Sequence, residues 1–552
     1  METLKASAPG LAKIKQARKE KGWSVDSLKW LEEASIILGS HWQESGYFAE
    51  GISEGTWKRF LAGKNPIKAE AFKAYTEVLG LKWEELIDRE AEAKADSGSV
   101  QDWGEAPASS VFYGRSEELA TLTQWIVNDR CRLVTLLGMG GIGKTALAVK
   151  WVELIQGQFP YFIWRSLRYA PPVEDILAQL IQFFWEQNPP NPPFAKGGKE
   201  EVIPDGFSAR LSLLIDCLRK HRCLLVLDNF EAVLWDGESH PETLRHRTGT
   251  YLAGYEGYGE FLKRVGESQH QSAIIVISRE KPREITTIEG KSSPIRSLQL
   301  KGLPELEARE ILKAKDLAGE EGWDSLIKLY GGNPLALNIV STTIQDLFNN
   351  NVSEFLRQNT LVITGFADIL EQPFKRLSDL EKQIIYWLAI HRHPVLLSQL
   401  QTDILFPVKK SDLMEVLQSL GWRCLIDKAA PTLIEPSTEQ NEVFFSLPPV
   451  VMKYVNNHFV EQVCEQLCEG EIELLRSHAL VNPQGDNIQE FIFKPILISV
   501  KEQLISAFRS QQRLREHIEH LLSILEGKPI LEVGYAKDNL LKLLAELEPH
   551  KG

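Results

Sequence analysis

Residues 133–150 read LVTLLGMGGIGKTALAVK, and this stretch determines the fold class. The apolar run 133–137 predicts a buried parallel strand, the glycine-rich run 138–143 predicts a tight turn, and Thr145 begins a predicted helix. Gly138, Gly143, Lys144 and Thr145 fill the spacing G-x-x-x-x-G-K-[ST] between that strand and that helix. The sequence therefore predicts a phosphate-binding loop.

The loop is expected to bind the phosphate chain of a nucleotide through backbone amides and the helix N-terminus. Lys144 would contact the β- and γ-oxygens, and Thr145 would bind Mg²⁺. The predicted nucleotide contacts in the loop are Gly138, Met139, Gly140, Gly141, Ile142, Gly143, Lys144, Thr145 and Ala146. ATP or ADP with Mg²⁺ is the expected ligand.

Composition bounds the class of protein. The 552 residues are too many for one hydrophobic core and predict about three to four domains. A net charge of −13 argues against a general binder of nucleic acid or of an anionic membrane. The six cysteines form no C-x-x-C pair, and Cys464 and Cys468 are expected to be packed thiols. With no apolar signal sequence or membrane-length apolar run, a reduced, cytoplasmic protein is expected.

Residues 1–90 are predicted to form a helical domain, with helices over 53–61 and 69–79, a turn at 63–66 and a short helix from Trp83. This pattern resembles the helix-turn-helix domains of bacterial repressors of the Cro/C1 type, in which the helix at Ser53 would be the recognition helix. Lys58, Arg59 and Lys64 would then contact DNA phosphates. Because acidic and basic residues balance in the first 95 positions, recruitment of a protein is the favoured role and DNA binding the alternative.

A linker is predicted over 91–110, followed by a nucleotide-binding domain over 111–300. Phe112, Tyr113, Gly114 and Arg115 precede a helix capped by Ser116, about 20 residues before the loop, where many P-loop ATPases hold the base edge of the nucleotide. Phe112, Tyr113 and Arg115 are therefore candidate nucleotide contacts.

Three more strands are predicted at 161–167, 223–228 and 273–277, with helices over 173–185 and 207–220 and a surface loop at 188–206. Strands that alternate with helices form a parallel sheet. Asp228 ends one strand and is the expected Mg²⁺ partner, and Arg279 follows another and is the expected γ-phosphate sensor.

After residue 300 the pattern becomes mainly helical. A helical domain is predicted over 301–365 with the motif GNPLAL, then a winged-helix domain over 366–460, then a helical region over 461–552. The winged helix would combine helices at 377–389 and 411–420 with strands at 423–427 and 443–447. The fold class is thus multidomain α/β plus α, with a parallel-sheet P-loop NTPase domain, helical and winged-helix domains, and all-α domains at both ends.

The order of these motifs over residues 112–454 resembles the NB-ARC branch of the STAND signalling ATPases, a group with bacterial signalling members. The resemblance implies a switch that is closed with ADP, open and self-assembling with ATP, and a slow ATPase. It also implies that Pro334 packs against the nucleotide, as the proline of the family's GLPL motif does. Relatives commonly continue into repeat arrays that sense a ligand. Since the sequence stops at Gly552, we expect the sensor to be missing or to be a separate protein.

Three positions depart from the family pattern. Asn229 replaces a second acid after Asp228, which leaves Glu231 as the candidate general base. Asn333 replaces the leucine of GLPL and is expected to be tolerated. The winged-helix motif reads SLPPV at 446–450, without the histidine that usually contacts the ADP β-phosphate.

These departures leave two alternatives to a signalling switch. One is a DNA-binding transcription regulator with ATP-controlled oligomerisation, and the other is a scaffold locked with ADP. The predicted partners are nucleotide, further copies of the chain, and an unknown protein bound through the N- or C-terminal helices, with no membrane.

Overall fold

The architecture is seen in a computed structural model that describes residues 3–4, 6–24, 27–40, 48–49, 51–63, 67–83, 86, 100–108, 111–155, 157–187, 203–235, 248–357, 367–429, 443–482 and 495–547. The chain divides into two units, residues 1–99 and 100–552. Among the described residues, none of the helices has the length and apolar character needed to cross a bilayer.

The N-terminal unit is a helical bundle with an aromatic core. Its helices are α1 (Ala8–Lys21), α2 (Lys29–Ile37), α3 (Glu54–Ala62) and α4 (Ala69–Val78). The Ser53 hydroxyl caps α3 by accepting from the Thr56 amide at 3.1 Å, and the Trp30 and Trp57 rings stack at 4.7 Å. Two short antiparallel strands, β1 (Thr3–Leu4) and β2 (Ile67–Lys68), were not predicted.

The DNA-binding alternative requires Lys58, Arg59 and Lys64 of this unit to contact DNA phosphates. Lys58 and Arg59 are exposed on α3, and Lys58 is paired with Glu54 one turn earlier. Lys64 and most of the short helix predicted from Trp83 lie outside the described residues. The helix-turn-helix assignment stays a prediction.

A six-stranded parallel sheet forms the centre of the second unit, in the order β3-β5-β6-β7-β4-β8. The strands are β3 (Val100–Asp102), β4 (Leu133–Leu137), β5 (Tyr161–Ser166), β6 (Cys223–Asp228), β7 (Ala273–Ser278) and β8 (Ile295–Gln299). The helices around them are α5 (Ser116–Leu122), α6 (Lys144–Leu154), α7 (Val173–Gln187), α8 (Phe207–Lys220), α9 (Gly257–Glu267) and α10 (Arg283–Ile288). Strands β4, β6 and β7 are neighbours or next neighbours, so their carboxyl ends meet at one edge of the sheet.

Both faces of the sheet are buried, which explains why its strands are continuous apolar runs. Along β6, Leu225 and Leu227 pack into the core on the side of α7, α8 and α9. Leu224 and Val226 pack into the core on the side of α6. This alternation fixes the register of the strand.

Two strands of the sheet were missed by the sequence reasoning. Val100–Asp102, which falls in the predicted linker, pairs in parallel with Tyr161–Ile163. Ile295–Gln299 pairs with the strand that precedes the phosphate-binding loop. The predicted surface loop at 188–206 lies largely outside the described residues.

Residues 303–547 contain mainly helices and share one hydrophobic core. The helices are α11 (Glu305–Ala314), α12 (Trp323–Leu329), α13 (Pro334–Leu347), α14 (Val352–Arg357), α15 (Ala367–Lys375), α16 (Asp379–His391), α17 (Leu397–Asp403), α18 (Lys410–Trp422), α19 (Pro449–Glu469), α20 (Glu473–Ser477), α21 (Ile496–Phe508), α22 (Gln511–Leu525), α23 (Ile530–Val533) and α24 (Ala536–Leu547). The helical, winged-helix and C-terminal segments of the sequence analysis thus pack around a common interior.

The segment predicted as a winged helix contains a three-stranded antiparallel sheet in the order β10-β11-β9. Its strands are β9 (Val395–Leu396), β10 (Asp427–Ala429) and β11 (Phe444–Ser446). We call residues 367–469 the small-sheet unit. The strand predicted at 423–427 begins later, at Asp427, because Cys424 adopts a left-handed φ of 56° after the end of α18.

Candidate functional site

The glycine-rich loop closes onto the N-terminus of α6 as predicted. Gly143 precedes the helix with a φ of 98°, a conformation that strongly favours glycine. A Cβ on Gly141 would lie 2.7 Å from the Cβ of Leu335, so the loop backbone and the start of α13 approach too closely for any larger residue. The loop is therefore built by glycines at defined positions.

Lys144 lies inside this loop. It is 8% exposed, and its Nζ donates to the carbonyl oxygens of Gly138 at 2.7 Å and Met139 at 3.1 Å. Burial lowers the pKa of Lys144, and the carboxylate of Glu231 opposes that shift. The loop carbonyls carry no net charge, so a nucleotide phosphate would form a stronger, charge-assisted hydrogen bond with this ammonium group.

Thr145 and Asp228 meet at the carboxyl edge of the sheet. The Thr145 hydroxyl lies 3.2 Å from each carboxylate oxygen of Asp228. Burial raises the pKa of Asp228 to about 6, and the backbone amide of Asn229, which donates to Oδ1 at 2.8 Å, opposes the shift. Hydroxyl and carboxylate oxygens are the ligands that Mg²⁺ prefers, so these two residues suit the predicted metal.

Arg279 and Glu231, the predicted sensor and candidate base, form an ion pair. Arg279 Nε lies 3.1 Å from Glu231 Oε1, and the Arg279 backbone amide donates to Oε2 at 3.2 Å. The same guanidinium approaches the Ile369 carbonyl oxygen of the small-sheet unit at 3.5 Å. The sequence predicted both residues, but it gave no sign that they bind each other.

Asn229 has a structural role at the metal edge. Its φ of 56° is left-handed, a conformation that asparagine tolerates better than most residues. Its side-chain amide donates to the Ser166 hydroxyl at 3.2 Å and so joins the ends of two strands. The Asn229 side chain thus contacts the end of β5, and as an amide it cannot serve as the second acid that the family pattern has at this position.

Arg115 is buried and donates a hydrogen bond to the backbone of the phosphate-binding loop. It is 3% exposed and has a left-handed φ of 63°. Its guanidinium donates to the carbonyl oxygens of Ile142 at 2.9 Å and Lys301 at 2.7 Å, and pairs with Glu118 at 2.8 Å. These contacts join the segment before α5 to the phosphate-binding loop and to the residues after β8, and the role of Arg115 as a nucleotide contact stays a prediction.

The other residues of this motif pack against neighbouring elements. Phe112 contacts the core that contains α6, and Tyr113 contacts the core of residues 303–547. A Cβ on Gly114 would lie 1.8 Å from Oε2 of Glu307, the atom that accepts from the Arg115 amide at 3.1 Å. Gly114 has a left-handed φ of 61°, which favours glycine, and a larger residue there would displace the Glu307 carboxylate from the Arg115 amide.

The GNPLAL motif lies directly on the loop. Asn333 is 1% exposed, and its side-chain Nδ2 donates to the Gly140 carbonyl oxygen at 3.1 Å. Its Oδ1 caps α13 by accepting from the amides of Leu335 at 3.1 Å and Ala336 at 3.2 Å. Pro334 is the first residue of that helix, where its missing amide costs nothing. Asn333 thus joins the phosphate-binding loop to α13 through hydrogen bonds that were not predicted from the sequence.

The segment that lacks the expected histidine also faces the loop. Pro448, Pro449 and Val450 line a cavity of about 230 Å³ together with Met139 and Ile142 of the loop. Asp427 of the small-sheet unit lines the same cavity, and burial raises its pKa. The segment at 446–450 thus contributes prolines to this cavity in place of the expected histidine, and Asp427 contributes a carboxyl group from β10.

The segment after the sensor strand contacts the small-sheet unit. The Lys281 amide donates to the Trp422 carbonyl oxygen at 3.0 Å, and Glu280 Oε2 lies 3.7 Å from Arg423 Nε. Both side chains of that ion pair are buried, and Glu280 Oε1 also accepts from the Gly249 amide at 2.7 Å. Sequence reasoning missed Glu280 and Arg423 because an ion pair between distant segments leaves no local pattern.

A parallel sheet with this loop, a strand-end aspartate at the metal position and an arginine on the adjacent strand end defines a P-loop nucleotide-binding domain. Residues 115–244 match the NB-ARC domain. The match includes the phosphate-binding loop and Asp228, and it agrees with the resemblance that the order of the motifs predicted.

Two curated relatives extend this comparison. A WD repeat-containing protein of Nostoc sp. strain PCC 7120 is 46% identical over 602 aligned positions, covering 98% of this chain and 45% of that protein. The disease resistance protein RRS1B of Arabidopsis thaliana is 24% identical over 269 positions, covering 47% of this chain and 17% of that protein. The chain spans less than half the length of either relative.

Solved structures give a more distant likeness. The Walker-type ATPase PABY2304 of Pyrococcus abyssi aligns with 62% of this chain and 96% of its own, at 15% identity and a TM-score of 0.41. The Orc1 protein of Aeropyrum pernix, solved in complex with DNA, aligns with 64% of this chain and 95% of its own, at 13% identity and a TM-score of 0.28.

Proposed function

We propose that the chain is a nucleotide-controlled signalling switch that binds ADP or ATP with Mg²⁺, hydrolyses ATP slowly and changes its conformation and self-association with the bound nucleotide. The observation that carries the proposal is the Arg279–Glu231 ion pair beside Thr145 and Asp228. It joins the residue expected to sense the γ-phosphate to the residue expected to activate water. An ADP-locked scaffold would retain ADP and keep the same mass with ADP and with ATP, and a DNA-binding regulator would bind duplex DNA with an affinity that falls steeply with salt.

Each residue then has a defined task. Lys144 and the loop amides bind the phosphates, and Thr145 and Asp228 hold Mg²⁺, which when bound neutralises phosphate charge. Arg279 exchanges Glu231 for a γ-phosphate oxygen, a group that carries more negative charge. Glu231, once released, accepts a proton from water. Hydrolysis therefore requires this exchange, because Glu231 stays paired with Arg279 until a γ-phosphate competes for the guanidinium.

The contacts beyond the sensor support a conformational role. Glu280 and Lys281 follow Arg279 directly and bind Arg423 and Trp422 of the small-sheet unit. A shift of Arg279 toward a phosphate would move the backbone that carries these contacts. A ligand shifts a conformational equilibrium only by its difference in affinity for the two states, and Arg279 supplies that difference.

The test compares Arg279→Gln with Arg264→Gln, an exposed arginine at the end of α9. Affinities for ADP and ATP with Mg²⁺ are measured by titration of fluorescent nucleotide analogues. We expect Arg279→Gln to bind ADP within about twofold of wild type and to lose about tenfold in affinity for ATP, because one charge-assisted contact is absent. Arg264→Gln should change neither affinity. An unchanged ATP-to-ADP ratio in Arg279→Gln would refute the sensor role.

A further inference from the structure

Beside the sensor lies a cavity of about 610 Å³ that the proposed nucleotide contacts do not fill. It is lined by Arg168, Asn229, Glu231, Ala232, Arg279, Glu280, Gln372, Pro373, Arg376 and Arg423. No residue of the phosphate-binding loop at 138–145 is among these lining residues. The cavity therefore lies next to the place of the phosphate chain and is distinct from it.

The lining carries more positive than negative charge. Its four arginines face two glutamates, and each glutamate already has a partner. Glu231 pairs with Arg279, and Glu280 pairs with Arg423 and accepts from the Gly249 amide. Within the described residues, the guanidinium groups of Arg168 and Arg376 have no carboxylate partner. Two uncompensated cations at one cavity attract an anion.

Arg423 adds an unmet hydrogen-bonding group. It is 5% exposed, and its Nε makes no hydrogen bond within the described part of the chain. The nearest carboxylate oxygen, Glu280 Oε2, is 3.7 Å away, which is ion-pair distance but too long for a hydrogen bond. Another nitrogen of the same guanidinium donates to the Arg376 carbonyl oxygen at 2.8 Å and so fixes the backbone of the neighbouring arginine. A buried, partly unsatisfied guanidinium of this kind is costly unless a further acceptor is supplied.

We propose that this arginine-lined cavity is a subsite for inorganic phosphate. Guanidinium groups bind phosphate oxygens through charge-assisted pairs of hydrogen bonds, and several of them converge here. Arg168 follows β5 and Arg279 follows β7, whereas Arg376 follows α15 and Arg423 follows α18. A bound phosphate therefore holds the nucleotide-binding domain and the small-sheet unit together.

The inference rests on the proposed function only for the origin of the phosphate. In ATP hydrolysis the oxygen of water bonds to the γ-phosphorus, the bond from that phosphorus to the bridging oxygen breaks, and ADP, inorganic phosphate and a proton result. Arg279 and Glu231 border both the expected γ-phosphate position and the cavity. The released phosphate can thus move into the cavity without passing the loop.

The test is calorimetric titration of the full chain with inorganic phosphate at constant ionic strength, in the presence of saturating ADP and Mg²⁺ so that the phosphate-binding loop is occupied. Wild type is compared with Arg376→Gln and Arg168→Gln, and Arg357→Gln serves as the control because that arginine is exposed and paired with Glu354. We expect saturable binding at one site in wild type, a loss of about tenfold or more in the Arg376 and Arg168 variants, and a change within about twofold in Arg357→Gln.

Three outcomes would overturn the proposal. They are the absence of saturable binding to wild type, undiminished affinity in both Arg376→Gln and Arg168→Gln, and displacement of the phosphate as the ADP concentration is raised, which would assign the anion to the nucleotide loop. Phosphate should also raise the thermal denaturation midpoint of wild type and leave that of Arg376→Gln unchanged. If nucleotide titrations fail while phosphate still binds, the proposed switch fails and the subsite stands.

Discussion

Asn333 shows how one side chain joins two segments that are far apart in sequence. Its amide bonds Gly140, 193 residues earlier, and its oxygen caps the helix that begins at Pro334. The leucine that the related motif carries could make neither contact. Asn333, in place of the leucine, therefore adds hydrogen bonds between the phosphate-binding loop and α13.

Asn333→Leu tests this role. The change removes a helix cap and leaves the buried Gly140 carbonyl oxygen without a side-chain donor, so we expect a loss of about 2 kcal/mol in the free energy of unfolding. The measurement is chemical denaturation followed by circular dichroism. Asn338→Leu is the matched control, since that amide bonds only the carbonyl of Pro334 within its own helix. Equal destabilisation by the two changes would contradict the assigned role.

The sequence predicts the residues of the nucleotide site better than it predicts their partners. Lys144, Thr145 and Asp228 are recognisable because a loop between a strand and a helix requires particular residues at fixed spacing. The contacts of the Arg115 guanidinium with the carbonyl oxygens of Ile142 and Lys301 were not predicted, because the strand pairing that brings Lys301 close has no local signature. The ion pair between Glu280 and Arg423 was missed for the same reason.

At the scale of elements, prediction succeeded where apolar periodicity is strong. The strand Cys223–Asp228 and the helix Phe207–Lys220 lie where they were predicted. The strands Val100–Asp102 and Ile295–Gln299 were missed because polar residues interrupt them. Both lie at the edges of the sheet, where burial selects less strongly for apolar residues, and their pairing depends on distant segments.

Helix α16 joins the small-sheet unit to the C-terminal helices through a buried histidine. His478 is 2% exposed and contacts the rings of Tyr386 and Trp387 on that helix. Its Nε2 lies 3.2 Å from the carbonyl oxygen of Gln383. Burial lowers the pKa of His478 to about 4, although the hydrogen bond to Gln383 opposes the shift.

This pKa predicts a loss of stability in acid. Because the unfolded chain binds a proton near pH 6.5 that the folded chain excludes until about pH 4, stability falls as the pH decreases through this window. The loss between pH 7 and pH 5 should be about 2 kcal/mol from this residue. His478→Gln should lessen the pH dependence of the denaturation midpoint, and His520→Gln, on an exposed histidine, should not. An unaltered dependence in His478→Gln would show that its protonation does not limit stability.

At the scale of the whole second unit, the arrangement of contacts suggests which parts move together. Residues 303–547 share one apolar core, which favours motion as a body. Their contacts with the nucleotide-binding domain include the hydrogen bonds of Asn333 with Gly140 and of Lys281 with Trp422, and the ion pair of Glu280 with Arg423. Breaking such polar contacts costs less free energy than exposing an apolar core, because water replaces the lost hydrogen bonds. We therefore expect a nucleotide-driven change to separate these contacts while the shared core stays intact.

The central claim is that bound nucleotide controls conformation and self-association. The most direct test identifies the nucleotide retained by the purified chain, by denaturing it and separating the released nucleotides, and measures its mass in solution with ADP and with ATP plus Mg²⁺. We predict retained ADP with a monomer mass, a larger assembly with ATP, and neither retained nucleotide nor a change of mass for Lys144→Ala. Retained nucleotide in Lys144→Ala, or a wild-type mass that is the same with ADP and ATP, would contradict the account.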